Sequence, residues 1–113
     1  MNKYRDKSDF EINKAVAIAL GKVIGIRPDS NIIYLIGGDE LIEFAPCNNP
    51  ADAMPIVIEN KISLRAPSIT DRWKAEFVDE YGNYVGYLRA LNKNPLRAAM
   101  ELFLLMKDAE NEK

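Results

Sequence analysis

The sequence predicts a single α+β domain in which three helices flank a small, mainly antiparallel sheet, in an αββαββα-like order. Three segments have helical periodicity, and short β-branched runs separated by turn residues fill the space between them. The 113 residues, 48% hydrophobic and 28% charged, suit one globular domain. We expect residues 1–113 to form this domain, with 1–7 and 109–113 as frayed tails.

The first helix is predicted at about residues 9–20. Ser8 and Glu11 have the spacing of a capping box, in which polar side chains satisfy the free N–H groups of a first turn. Ile12, with apolar residues four and eight positions later, forms one stripe. Gly21 is the residue type that most often ends a helix in the left-handed conformation.

Three strands are predicted next, at 23–26, 32–36 and 41–44. The residues at 37–39, Gly-Gly-Asp, are typical of a hairpin turn between the second and third strands. The 32–36 run is apolar on both faces, so we expect it at the centre of a sheet or covered on both sides.

The second half begins with a helix at about 50–60, started by Asn49 as cap and Pro50 in the first turn. A short strand at 62–64 follows. A hairpin then spans 73–90. We predict that Trp73 pairs with Ala90 and Ala75 with Leu88, because this register collects the apolar side chains on one face.

The last helix is predicted to start at Asn94-Pro95 and to run to about Asp108. Its apolar stripe is unusually broad, which is typical of a helix in the core or one shared with a second subunit. We therefore predict a homodimer as one use of this helix. The residues proposed for the core or oligomer contact are Leu96, Met100, Leu102, Phe103, Leu105 and Met106.

Charge is unevenly distributed along the chain. Residues 28–60 contain six acidic residues and no Lys or Arg, whereas 1–27 and 61–97 each carry a basic surplus. The net charge of −2 disfavours nucleic-acid binding, which usually needs a basic surplus, but a local basic face remains open. The residues of this candidate basic and aromatic surface are Arg72, Lys74, Tyr84, Tyr87, Arg89 and Lys93.

The side chains that usually carry catalysis are scarce. The chain has no histidine and one cysteine, Cys47, so Cys-His catalysis, a disulfide within the chain and thiolate metal sites are excluded. Asp39, Glu40 and Glu43 lack calcium-loop spacing, and we interpret them as surface charge. We expect no cofactor, no metal and no catalytic residue. The remaining candidate for a polar or anion site is the turn of Cys47, Asn48, Asn49 and Asp52, for which plain capping is the alternative.

Three stretches together resemble the NinX-like family of small proteins from tailed bacteriophages and their prophages. They are SDFEINKAVAIALG at 8–21, CNNPADAMPIVIENKISL at 47–64 and NPLRAAMELFLLM at 94–106. The resemblance implies a phage or prophage origin, and a fold in which helices flank a sheet. The family is of unknown function, so the resemblance assigns no catalytic residue.

These observations favour a non-enzymatic phage accessory protein that contacts other proteins of the host or phage. A nucleic-acid-associated factor is the alternative, and a small-ligand or anion-binding domain around Cys47 is the second alternative. The polar residues at 1–7 do not resemble a secretory signal, and the longest apolar run, at 102–106, is too short to span a bilayer. We therefore expect the protein in the bacterial host cytoplasm.

Overall fold

A computed structural model describes residues 2–27, 29–78 and 84–111. The described chain confirms the α+β class and contains three helices and six strands in the order α-β-β-β-α-β-β-β-α. The elements are α1 (Asp9–Ala19), β1 (Ile24–Ile26), β2 (Ile33–Gly37), β3 (Glu40–Phe44), α2 (Pro50–Glu59), β4 (Ile62–Arg65), β5 (Trp73–Val78), β6 (Tyr84–Asn92) and α3 (Pro95–Asn111).

The helix ends follow the local signals in the sequence. Ser8 Oγ accepts the Glu11 N–H at 3.1 Å, which caps α1. At the other end Gly21 adopts φ +73° and its N–H bonds the Ile18 carbonyl, while the Lys22 N–H bonds the Ala17 carbonyl. This pair of bonds is a Schellman motif, so the predicted glycine stop is confirmed.

The strands form two separate three-stranded antiparallel sheets, with the orders β1-β2-β3 and β4-β5-β6. β2 is the central strand of the first sheet, as its two-faced apolar run predicts. The two-residue turn Gly38-Asp39 joins β2 to β3, with Gly38 at φ +60°. Each half of the chain therefore closes its own small sheet.

The predicted register of the second hairpin is wrong by two residues. Ala75 pairs with Ala90 instead of Leu88, and Trp73 pairs with Asn92 instead of Ala90. A two-residue shift returns every side chain to the same face, so the hydrophobic pattern cannot distinguish the two registers. The register shifts again between Glu76 and Val78, so that Val78 pairs with Tyr84. The turn itself lies outside the described residues.

The core is built around α3. This helix contacts α1, α2 and all three strands of the β4–β6 sheet. Met100, Leu102 and Phe103 are fully buried, and Ala75 and Ala90 of the second sheet are also buried. α1 packs on α3 and on β2. None of the described helices has the length and apolar character needed to cross a bilayer.

Candidate functional site

The Cys47–Asp52 turn is held in place by its own polar groups. The Cys47 N–H donates to Asn13 Oδ1 at 3.0 Å, and the Cys47 carbonyl accepts from Asn94 Nδ2 at 2.7 Å. Asn49 Oδ1 accepts the Ala51 N–H and so caps α2. These bonds tie the start of α2 to α1 and to the start of α3.

The thiol of Cys47 is fully buried. Burial, with a contribution from the negative charge of Asp9, raises the pKa of Cys47 from 9.0 to about 12. The thiol is therefore protonated at neutral pH and is a weak nucleophile. Asn48 and Asn49 are exposed, and Asp52 Oδ2 accepts the Ala45 N–H at 2.9 Å.

An acidic groove of about 530 Å³ opens beside this turn. It lies between the start of α1 and the adjoining ends of β2 and β3, and its described lining includes no Lys or Arg. Asp9, Glu11 and Glu43 supply its carboxylates. No three acidic or thiol side chains in the described part of the chain come together in a way that could hold a metal ion.

The candidate basic surface is only partly assembled. Arg72, Arg89 and Lys93 are exposed, whereas Lys74 Nζ lies 3.0 Å from Glu76 Oε1. The side chains of the other two candidates, Tyr84 and Tyr87, lie outside the described part of the structure.

A residue that the sequence analysis missed joins this basic surface. Arg5 lines a second groove, of about 380 Å³, together with Arg72, Leu91, Asn92 and Lys93. The two basic segments of the sequence therefore meet at one place. Lys93 is partly neutralised, because its Nζ lies 3.2 Å from Asp71 Oδ2.

The apolar side chains of α3 are mostly inside the chain's own core. Met100, Leu102 and Phe103 are fully buried, and Leu96, Leu105 and Met106 are half-buried. Burial in one chain accounts for the broad stripe without a second subunit. The homodimer through α3 stays a prediction, but three of its six residues have no exposed surface to offer.

A buried charged cluster was not anticipated. Arg97, with a side chain 7% exposed, donates from Nε to Glu101 Oε2 at 2.6 Å and from Nη1 to Asp9 Oδ1 at 2.7 Å. Its Nη2 donates to the carbonyl oxygens of Tyr4 and Lys7, at 2.9 and 2.6 Å. Burial alone would lower the pKa of Arg97, but the bonds to Asp9 and Glu101 outweigh it and raise that pKa above its usual value.

This cluster fixes the N-terminal segment on α3. Asn2 Nδ2 donates to Glu101 Oε1 at 2.6 Å, and Tyr4 Oη donates to Asp108 Oδ2 at 2.5 Å. The segment expected to fray is therefore placed against the helix by several polar bonds. The only signal in the sequence was an Arg and a Glu four positions apart inside an apolar helix, a spacing that puts them on one face.

Five of the ten large apolar residues that are exposed in the described chain lie on or beside the first sheet. Ile36 and Leu41 are cross-strand neighbours, and Leu41 is 60% exposed; Ile42, on the opposite face, is 53% exposed. Val23 bonds to β2 through its carbonyl and is also exposed, as is Ile26. We call this set the β1–β3 apolar surface: Val23, Ile26, Ile36, Leu41 and Ile42.

Comparison with known families gives a match over most of the chain. The family model described as "Bacteriophage P22, NinX" matches residues 3–107 of the 113. The chain belongs to the NinX family. Membership indicates a phage accessory protein. No curated protein and no solved structure gives a match.

The NinX-family chain thus has one groove lined by acidic residues and one lined by basic residues. The acidic groove adjoins the β1–β3 apolar surface at Glu43 and Phe44. The basic groove is formed by Arg5 and the β5–β6 end of the chain. The two grooves share no described lining residue, and each suits a different kind of partner.

Proposed function

We propose that this NinX-family protein is a non-enzymatic accessory protein that acts in the host cytoplasm by contacting another protein through the β1–β3 apolar surface. The observation that carries the proposal is the exposure of this surface on both faces of a sheet. Clustered exposed apolar side chains are typical of interaction sites, whereas single ones are normal on any protein. Leu41 and Ile42, adjacent on the edge strand β3, contribute an exposed apolar side chain to each face of the sheet.

The side-chain chemistry supports the non-enzymatic part of the proposal. The sequence has no histidine, and its one thiol is buried with a raised pKa. The carboxylate of Glu101, which is fully buried, is engaged by Arg97 and Asn2. Activated nucleophiles and general bases need an accessible group with a suitable pKa, and none of these three features supplies one.

Site-specific photocrosslinking in infected or prophage-induced cells tests this function. Replacement of Leu41 by p-benzoylphenylalanine places the crosslinker within the β1–β3 apolar surface. Ile58 is the matched control, because it is an apolar residue 70% exposed on α2, which contacts α3 and β4. We expect discrete protein adducts from position 41 and none of the same species from position 58. Equal labelling from both positions, or no adduct from position 41, would contradict the proposal.

A second candidate function, nucleic-acid association, is favoured by the groove that brings Arg5, Arg72 and Lys93 together. Clustered basic side chains can bind phosphates even on a chain without a basic net charge. A gel shift with single-stranded and duplex DNA at low salt tests it. The double variant Arg72→Glu with Lys93→Glu should abolish any shift. The control variant Lys14→Glu with Lys22→Glu, two exposed sites with the same change in net charge, should leave the shift unchanged.

A further inference from the structure

β3 is an edge strand with little cover. Among the described residues it pairs only with β2, so no described strand occupies the backbone groups on its other side. All four residues from Glu40 to Glu43 are exposed. Leu41 and Ile42 point to opposite faces, because successive side chains of a strand alternate. An added strand would therefore gain backbone hydrogen bonds and apolar contact on both faces.

The ends of this apolar pair are acidic. Glu40 and Glu43 flank Leu41 and Ile42, and neither carboxylate forms an ion pair with a residue that the structure describes. Glu43 also lines the acidic groove, in which Asp9 is paired with Arg97 and Glu11 with Lys7. A strand placed beside β3 therefore meets negative charge at both ends of the apolar pair.

This charge pattern disfavours a second copy of the same chain. In an antiparallel pair of β3 strands, the register that matches Leu41 with Ile42 of the other copy places Glu40 opposite Glu43. Parallel in-register pairing also places like charges opposite each other. Like charges directly opposite across a strand pair are destabilising. The occupant of this edge must supply positive charge where β3 supplies negative charge.

We propose that β3 binds an extended segment of a partner protein as an added strand, and that this segment has two apolar residues between two basic ones. The proposal rests on the function proposed above and specifies its partner. The order basic-apolar-apolar-basic reads the same in either direction, so it fits parallel and antiparallel addition equally.

Titration of isotope-labelled protein with synthetic peptides tests this proposal directly. The probe is a capped peptide with the core Ser-Lys-Val-Val-Lys-Ser. One control peptide carries Glu in place of each Lys, and the other carries N-methyl groups on alternate residues along the edge that would face β3. We expect saturable amide shifts over Glu40–Phe44 with the basic peptide alone, because the controls lose charge complementarity or backbone donors.

A charge reversal in the protein separates specific pairing from general attraction. The variant Glu40→Lys with Glu43→Lys should bind the basic peptide at least about tenfold more weakly and should now prefer the acidic peptide, because both cross-strand pairs change sign. The matched control is Asp6→Lys with Glu59→Lys, two exposed sites with the same change in net charge. Thermal unfolding of each variant confirms that it is folded.

Four results would overturn the proposal. The first is the absence of a saturable amide shift up to about 1 mM basic peptide, the weak end of specific binding. The second is equal weakening of peptide binding by both double variants. The third is a dimer in sedimentation that the charge reversal at Glu40 and Glu43 abolishes, since a second copy would then occupy β3. The fourth is a crosslinked adduct from position 41 to a protein that has no basic-apolar-apolar-basic segment. That last result would leave the protein-contact function standing, so the two failures are distinguishable.

Discussion

Replacement of Arg97 by Met removes the centre of the buried charged cluster while it keeps a long apolar side chain. Four hydrogen bonds are lost, to Glu101, Asp9 and the carbonyls of Tyr4 and Lys7. The most serious consequence is at Glu101, whose side chain is fully buried and would lose its positive partner. The bond from Asn2 would remain, but it carries no charge.

Removal of one partner from a buried ion pair costs about 3–5 kcal/mol. Each kcal/mol lowers the melting temperature of a domain of this size by roughly 4 °C, so we expect a fall of about 12–20 °C. The exposed Arg89→Met is the control and should change stability by less than about 0.5 kcal/mol. Urea and thermal unfolding, followed by circular dichroism, measure both variants.

The double variant Arg97→Met with Glu101→Gln tests the physical reason. If the cost comes from an uncompensated buried carboxylate, its replacement by a neutral amide should recover about 2 kcal/mol in the double-mutant cycle. The free carbonyls of Tyr4 and Lys7 would limit the recovery. A loss below about 1 kcal/mol for Arg97→Met, or no recovery with Glu101→Gln, would refute a charge-based account of the cluster.

Three further predictions concern single polar groups. Burial raises the pKa of Cys47 from its usual 9.0 to about 12, so the unfolded chain releases the thiol proton at lower pH than the folded chain. The free energy of unfolding should therefore fall as pH rises through that window. Urea titrations at several pH values measure this fall, and Cys47→Ala should flatten it. Asn94 Oδ1 accepts the Leu96 N–H, so Asn94→Ala should cost about 1–2 kcal/mol in urea unfolding. Tyr4→Phe removes the bond to Asp108 and should speed tryptic cleavage after Arg5, an effect absent in Tyr34→Phe.

The elements themselves were predictable because their signals are local. The predicted helix at 9–20 is α1 at Asp9–Ala19, and the predicted helix at 50–60 is α2 at Pro50–Glu59. In both, a polar cap and a stop residue lie within a few positions of the helix they bound. The last helix starts where Asn94-Pro95 predicts, although it extends to Asn111.

Contacts between distant parts of the chain were not predictable in the same way. Arg97 reaches Asp9, which is 88 positions away, and Glu101 reaches Asn2 at 99 positions. No periodicity joins such pairs, because their proximity depends on how α1 and α3 pack. The hairpin register failed for a related reason: turn geometry, and not the apolar pattern, decides between registers two residues apart.

The apolar residues that the sequence concentrates in the last helix lie mostly in the core, and exposed apolar side chains are found elsewhere in the structure. α3 is covered by α1, α2 and the β4–β6 sheet, so most of its apolar side chains are buried in the core. α1 packs on the first sheet at its central strand, β2. Leu41 and Ile42 are consequently left uncovered on an edge strand, an arrangement prone to self-association. The acidic residues on either side of them oppose pairing between copies, yet they leave the edge open to a strand of opposite charge.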